Sequence, residues 1–352
     1  MRMMKSQFIS ARQIIGLVVI CIGFGLTAPV SLAEEPQAVS SGKPSEAAAQ
    51  ARVLKGGATV DLAYAPPDGF GLMILRPAAF FQLPDMKSLA GIANDFIATK
   101  VLHLDDRKKL TLSVDSIEQI TGEFVVTKTD RGWTGGPRPR VIRMTEPFDW
   151  KKQFQALASV FDPPDYVMAN DRTMVLGPEA NCQQRRSASS PAFICCPGWK
   201  EVENCIAVCV LNNSRSQWTK ELDPALKDFE SEAEGRKAVR SIRDLNYVII
   251  GIDLSPGLVV KAFLNFKTEQ AARSLFDLYE ASLPEMRKAL QEAGKPKIDN
   301  EVERAIVYAE IDLVRNASVR REGNVITVRS SAKVALADQR VQQALASLIA
   351  SR

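Results

Sequence analysis

Cysteine is the residue type whose placement most invites chemistry. Cys182, Cys195, Cys196, Cys205 and Cys209 follow one another as C-x12-C-C-x8-C-x3-C, while Cys21 lies in an N-terminal apolar run. A tetrahedral metal centre takes four sulfurs, commonly as two closely spaced pairs, and this spacing matches no such arrangement. The β-branched residues in Cys205-Ile206-Ala207-Val208-Cys209-Val210 favour a strand. Four strand steps separate the backbones of Cys205 and Cys209 by roughly 13 Å, too far for one metal or one disulfide. On a helix the two would share a face, and the metal reading would return. Three readings stay open: buried or incidental thiols, one disulfide with an odd thiol left over, and a cysteine-based metal or redox site.

His103 is the sole histidine. A lone imidazole works as a general base only with an orienting acid and a nucleophile close by. Asp105 and Asp106 are near in sequence, yet the flanking Leu102 and Leu104 suit a plain helix-end or surface position. Glu301/Glu303 and Asp105/Asp106 resemble a glycosidase pair, but among 41 acids such neighbours arise by chance. The chain has no G-x-S-x-G, no H-E-x-x-H and no phosphate-cradling glycine loop followed by Lys-Ser/Thr. Gly132-Trp133-Thr134-Gly135-Gly136 is glycine-rich, but it is expected at a hairpin tip, without the strand-to-helix step that phosphate binding needs. The sequence thus assigns no catalytic residue, no cofactor and no metal ligand.

That tip carries one binding hint. Arg131, Trp133, Arg138 and Arg140 place an aromatic among bases and prolines, a mixture enriched at protein interfaces. The competing reading folds Trp133 back onto its own hairpin.

The elements that would position these residues follow from periodicity. Tyr247–Leu254 and Leu258–Phe266 are β-branched runs around Ser255-Pro256-Gly257, a strand, a turn and a returning strand. Thr268 then caps a helix with Ala271, Leu275, Leu278 and Tyr279 on one face. Earlier, a buried strand over Phe70–Leu75 ends at Arg76-Pro77, and a helix is expected over Met86–Lys100. Strands at Ile117–Lys128 and Val141–Met144 flank Gly135-Gly136-Pro137, read as a break. A helix over Lys151–Phe161 and a hairpin of Tyr166–Ala169 with Thr173–Leu176 complete the first unit. Cys182–Trp199 reads as a joint. Val202–Leu211 is expected as a strand, Trp218–Arg240 as a helix, Pro284–Ala293 as a further helix, and Leu313–Val319 with Val325–Ser330 as a hairpin. A terminal helix is expected over Val341–Ala350. The expected class is α+β, with two similar units over 58–180 and 201–352, each a mainly antiparallel sheet with helices on one face. The second repeats the order of the first, which suggests a diverged duplication.

The ends of the chain bound its location. Arg2, Lys5 and Arg12 precede the apolar run Ile14–Leu26, and Ser31-Leu32-Ala33 offers a small-x-small cleavage site. This is the pattern of a signal peptide over 1–33, with an uncleaved anchor as the alternative. The run is shorter than the ~20 residues a membrane helix needs. Residues 34–57, rich in Ala, Ser, Glu and Pro, read as a flexible tether. Losing three bases from a total of 45 against 41 acids brings the exported form close to neutral. No basic stripe of the kind nucleic-acid binders show is present, and no later apolar run is long enough to span a bilayer.

Tyr64-Ala-Pro-Pro-Asp68, Met73-Ile-Leu-Arg-Pro77, Ile117-Glu118-Gln119-Ile120 and Asp171-Arg172-Thr173-Met174-Val175-Leu176-Gly177 carry a resemblance to exported two-unit α+β proteins of planctomycete-type bacteria. The cysteine-rich joint departs from that pattern. The resemblance implies no activity and transfers no site residue. The resulting expectation is an exported, non-catalytic binding or envelope-associated structural protein whose partner is another envelope or secreted protein. The rival is a secreted hydrolase using scattered carboxylates with His103 as base.

Overall fold

The structure, a computed structural model, describes residues 52–53, 59–60, 62–65, 71–83, 86–87, 89–96, 112–129, 132–157, 165–177, 191–214, 216, 230, 233–254, 258–292, 308–309 and 311–332. The segment read as a signal peptide, the Ser255-Pro256-Gly257 turn and Val341–Ala350 lie outside these residues.

Twelve strands and six α-helices follow in order: β1 (Arg52–Val53), β2 (Thr59–Val60), β3 (Gly71–Leu75), α1 (Pro77–Phe81), α2 (Leu89–Phe96), β4 (Ile117–Thr129), β5 (Gly132–Met144), α3 (Trp150–Leu157), β6 (Tyr166–Met168), β7 (Thr173–Leu176), α4 (Trp199–Val202), β8 (Ala207–Asn212), α5 (Ala233–Arg243), β9 (Leu245–Asp253), β10 (Leu258–Phe266), α6 (Glu269–Glu292), β11 (Ser318–Glu322) and β12 (Val325–Ala332), counted among the described residues. The fold is mixed helix and strand. β1 and β2 pair with each other, so part of the stretch expected as a tether is extended and bonded.

One ten-stranded antiparallel sheet dominates, in the order β11-β12-β10-β9-β8-β3-β4-β5-β7-β6. This corrects the expectation of two separate sheets. β3 and β8 pair directly, from Gly71 opposite Leu211 to Leu75 opposite Ala207, and so join the two halves. The physical reason lies in Gly-Leu-Met-Ile-Leu itself: Leu72 and Ile74 are buried on one face and Met73 on the other. A strand apolar on both faces belongs inside a sheet, and a seam supplies the partner for both edges. Outward from that seam each side runs first, second, third, fifth and fourth strand.

The sheet has two different faces. On one, α5 and α6 set Ala238, Ile242, Ala271, Ala272 and Leu275 against Val248, Ile250, Val260, Leu264 and Ile326. Trp150 and Phe154 of α3 cover Ile120, Ile142 and Met174 on that same face, as the cross-strand pairs Leu75–Ile120 and Ile120–Ile142 require. The other face is covered by residues 62–65 and 191–205. Phe193, Trp199, Val202 and Cys205 pack there on Leu72, Ile74, Val208, Val210, Ile249 and Phe263.

Several local expectations are revised. Gly135-Gly136-Pro137 does not break the chain but continues β5, opposite Val126, Val125 and Phe124. Proline is tolerated at a sheet edge, and β7 covers β5 only from Val141 to Arg143. β3 ends at Leu75, just before Arg76-Pro77, as expected, and Pro77 has a second role. It opens α1, where its missing N–H costs nothing. Pro284 does not start a new helix but lies inside α6. Residues 311–315 are helical, and β11 begins only at Ser318. The Thr268 cap is formed, with Ala271 N–H donating to its hydroxyl at 3.2 Å.

The 191–205 segment is seated by two glycines. A Cβ on Gly251 of β9 would lie 2.7 Å from Val202 Cβ and 2.8 Å from Cys205 Sγ, while Gly198 lies against the Phe263 ring at φ +91°. Gly251→Ala is expected to lower stability by about 1–3 kcal/mol, the usual cost of overpacking. Gly91→Ala in α2, where nothing lies within 4 Å of the added carbon, is expected to be neutral or stabilising. Chemical denaturation midpoints of the two variants check this.

Candidate functional site

The residues singled out by chemistry separate in space. Cys205 precedes β8 and is buried beneath α4, whereas Cys209 points to the helical face, opposite Met73 and Ile250. Val202–Leu211 is therefore not one strand: α4 closes at Val202, and β8 starts at Ala207. The two sulfurs lie on opposite faces of the sheet. Cys195, Cys196 and Cys205 are free thiols, and no metal-holding cluster is found among the described residues. Cys182 lies outside them. The segment expected as a bare joint is in its second part a plug, because Phe193, Trp199 and Val202 bury themselves on the sheet.

Charge gathers around this plug. Arg76, at the end of β3, is only 9% exposed. Its Nη2 donates to the Glu203 carbonyl at 2.6 Å, its backbone N–H donates to the Ile206 carbonyl at 2.9 Å, and its Nε has no partner. Burial lowers the guanidinium pKa, opposed by Cys205, Glu118 and Glu203. Burial also pushes the Cys205 thiol up to about 11; Asp253 adds to this, while Lys261 and Arg76 oppose it. Burial, then Cys195, raises Cys196 to about 11 as well. Lys261 Nζ donates to the Glu201 carbonyl at 3.2 Å, and Arg329 pairs with the Glu201 carboxylate at 2.6 Å. The cations therefore clasp α4 to the sheet. They do not activate the thiol, since a nucleophilic cysteine requires a lowered pKa.

Beside the seam, the first half builds a second polar cluster. Glu118 sits at a bulge of the β4–β5 ladder and receives Arg143 at 3.0 Å and Arg172 at 2.7 Å. Arg172 Nε also donates to the Met144 carbonyl. Gln119 donates to the Thr121 hydroxyl at 2.7 Å, both side chains being buried. These are satisfied structural networks. The surface hollow lined by Glu269, Gln270, Arg273, Ser274 and Asp277 is of the same kind. A hydrogen bond from Arg321, then the Arg273 charge, hold Glu269 below the usual carboxylate range. His103, Asp105, Asp106, Glu301 and Glu303 lie outside the described residues.

The remaining candidate is the β4–β5 ribbon. β3 covers β4 only from Ile120 to Glu123, and β7 covers β5 only from Val141 to Arg143. From Phe124 opposite Pro137 to Thr129 opposite Gly132, the two strands pair only with each other among the described residues. Six residues extend roughly 20 Å at ~3.3 Å each. Trp133 stands opposite Lys128 and Arg138 opposite Glu123. Arg140 donates to Glu123 at 3.2 Å, and Arg131 lies outside the described residues. Among the described residues the β9–β10 hairpin has no such overhang: β8 accompanies β9 to Ile252, and β12 accompanies β10 to Leu258. Sequence reading placed a hairpin tip where a long arm stands. It missed Arg76 and Glu118, whose only signal was charge at the ends of apolar runs.

No family model matches the chain, and no curated protein matches it. Two solved structures are similar to it, both of the Treponema protein TP0453 and both 12% identical. Crystal form I covers 82% of this chain and 96% of its own at a TM-score of 0.34. Crystal form III covers 83% and 99% at 0.31. A likeness this distant carries no functional reading.

The thiols give a direct test. At pH 8, N-ethylmaleimide is expected to modify exposed Cys195 in the native protein and to reach Cys205 only after denaturation, as peptide mapping by mass spectrometry would read. Because the folded Cys205 thiol titrates above its usual value of 9.0, its share of stability is complete below about pH 9 and lost as pH rises toward 11.

Proposed function

We propose that the chain is an exported, non-catalytic binding protein that presents the β4–β5 ribbon to another envelope or secreted protein. The observation that carries this reading is the ribbon's overhang, among the described residues, beyond both neighbouring strands. A two-stranded ribbon in water is marginal by itself, so its length is a stability cost that a binding role explains. Its sequence adds Arg131, Trp133, Arg138 and Arg140, residue types favoured at interface centres. The Cys205 thiol, pushed up to about 11 by burial, and the Glu118 carboxylate, committed to Arg143 and Arg172, support a scaffold over a reaction centre.

The two halves are further proposed to be diverged copies of one unit. Each has a helical connection after its first strand, a hairpin, a helix, and a second hairpin whose later strand lies inside. The shared strand order supports this. An experimental structure in which β3–β7 fails to superpose strand for strand on β8–β12 rejects it.

Trp133→Ala is expected to leave the denaturation midpoint within about 0.5 kcal/mol of wild type while reducing capture of the envelope partner severalfold in cross-linking pull-downs. A large loss of stability would instead mark Trp133 as a packing residue of its own hairpin.

A further inference from the structure

Strand edges are defined by their unpaired backbone groups, and the ribbon has two edges of unequal quality. The outer edge of β5 contains Pro137 and Pro139, which have no N–H, and Gly132, Gly135 and Gly136, which pack weakly in a strand. The outer edge of β4 over the same overhang is Phe124-Val-Val-Thr-Lys-Thr129, free of proline and glycine and rich in β-branched residues. Beyond Glu123 this edge has no further strand beside it among the described residues. Among the described residues, the ribbon is thus open to strand addition on one side and blunted on the other.

Charge narrows the choice of occupant. From Phe124 to Arg140 the sequence contains Lys128, Arg131, Arg138 and Arg140 against a single acid, Asp130. Arg140 is engaged by Glu123, which leaves the outer part of the ribbon basic. A lipid bilayer would leave the edge N–H and C=O groups unpaired, at a cost of several kcal/mol each. An extended peptide satisfies them.

We propose that the β4 edge over Phe124–Thr129 takes up an extended, acidic segment of a partner protein as an added strand. This rests on the binding reading given above and specifies its mode. The main chain supplies the affinity, and the basic sequence of the strands, with Lys128 in β4 and Arg138 in β5, favours an acidic segment.

The test uses the intact chain and a fluorescein-labelled ten-residue peptide of alternating Glu and Val. Comparison ligands are the same peptide with Lys for Glu, the acidic peptide N-methylated at alternate residues, and phosphatidylglycerol vesicles. Anisotropy should show binding of the acidic peptide, loss of at least about tenfold on N-methylation, since one backbone bond is worth about that factor, and weaker binding of the lysine peptide. Hydrogen exchange should show new protection in residues 124–129 and not in 132–140. The double variant Lys128→Glu/Arg138→Glu should lose the acidic peptide with its denaturation midpoint unchanged. Equal binding of the lysine or N-methylated peptide, binding of vesicles alone, or no peptide binding overturns the inference. If the peptides fail but Trp133→Ala still weakens partner capture, strand addition falls and the binding role stands. If both fail, both fall.

Discussion

The pairing of β3 with β8 is the contact on which the rest of the molecule depends. Five residues of Gly71–Leu75 lie in register with Ala207–Leu211, and they turn two five-stranded groups into one sheet. Neither strand is suited to an edge. β3 buries Leu72 and Ile74 on one face and Met73 on the other, and β8 divides Val208 and Val210 from Cys209 and Leu211 in the same way. Separating the halves would expose both faces of both strands and ten backbone positions together. Covering the sheet on each side then becomes a shared problem, solved by helices on one face and by the 191–205 plug on the other.

The plug shows how an apolar seat and fixed charges divide the work. Trp199, Phe193 and Val202 supply the buried area, and Gly251 and Gly198 make the close approach possible. Arg76, Lys261 and Arg329 hold the C-terminal end of α4 through the Glu203 and Glu201 carbonyls and the Glu201 carboxylate. Cys205 lies within this arrangement as a small apolar residue. The two cations that oppose its desolvation, Lys261 and Arg76, do not outweigh it, and Asp253 adds to it, so Cys205 is a packing thiol by physics and not by lack of neighbours.

Much of the local structure was legible in the sequence. The β9–β10 pair, the Thr268 cap, the hairpin around Asn170-Asp171-Arg172 and the apolar face of α6 each follow from patterns spanning a few residues. What was not legible is long-range or context-dependent. The seam joins residues 132 to 140 positions apart, and no period in Gly71–Leu75 names β8 as its partner. Pro137 and Pro284 read as stops because local rules assume an interior position. One sits on an uncovered edge and the other inside a long, packed helix. Phe193, Trp199 and Val202 have no regular spacing, so their common burial was invisible. The ribbon's reach depends on where β3 and β7 end, which no local pattern states.

Native-state hydrogen exchange at increasing denaturant tests the central claim most directly. If one seam unites the molecule, the amides of β3, β4, β8 and β9 exchange through a single global opening with a common free energy and denaturant slope. If β3 and β4 open at a clearly lower free energy than β8 and β9, the halves unfold independently and the seam does not govern the fold.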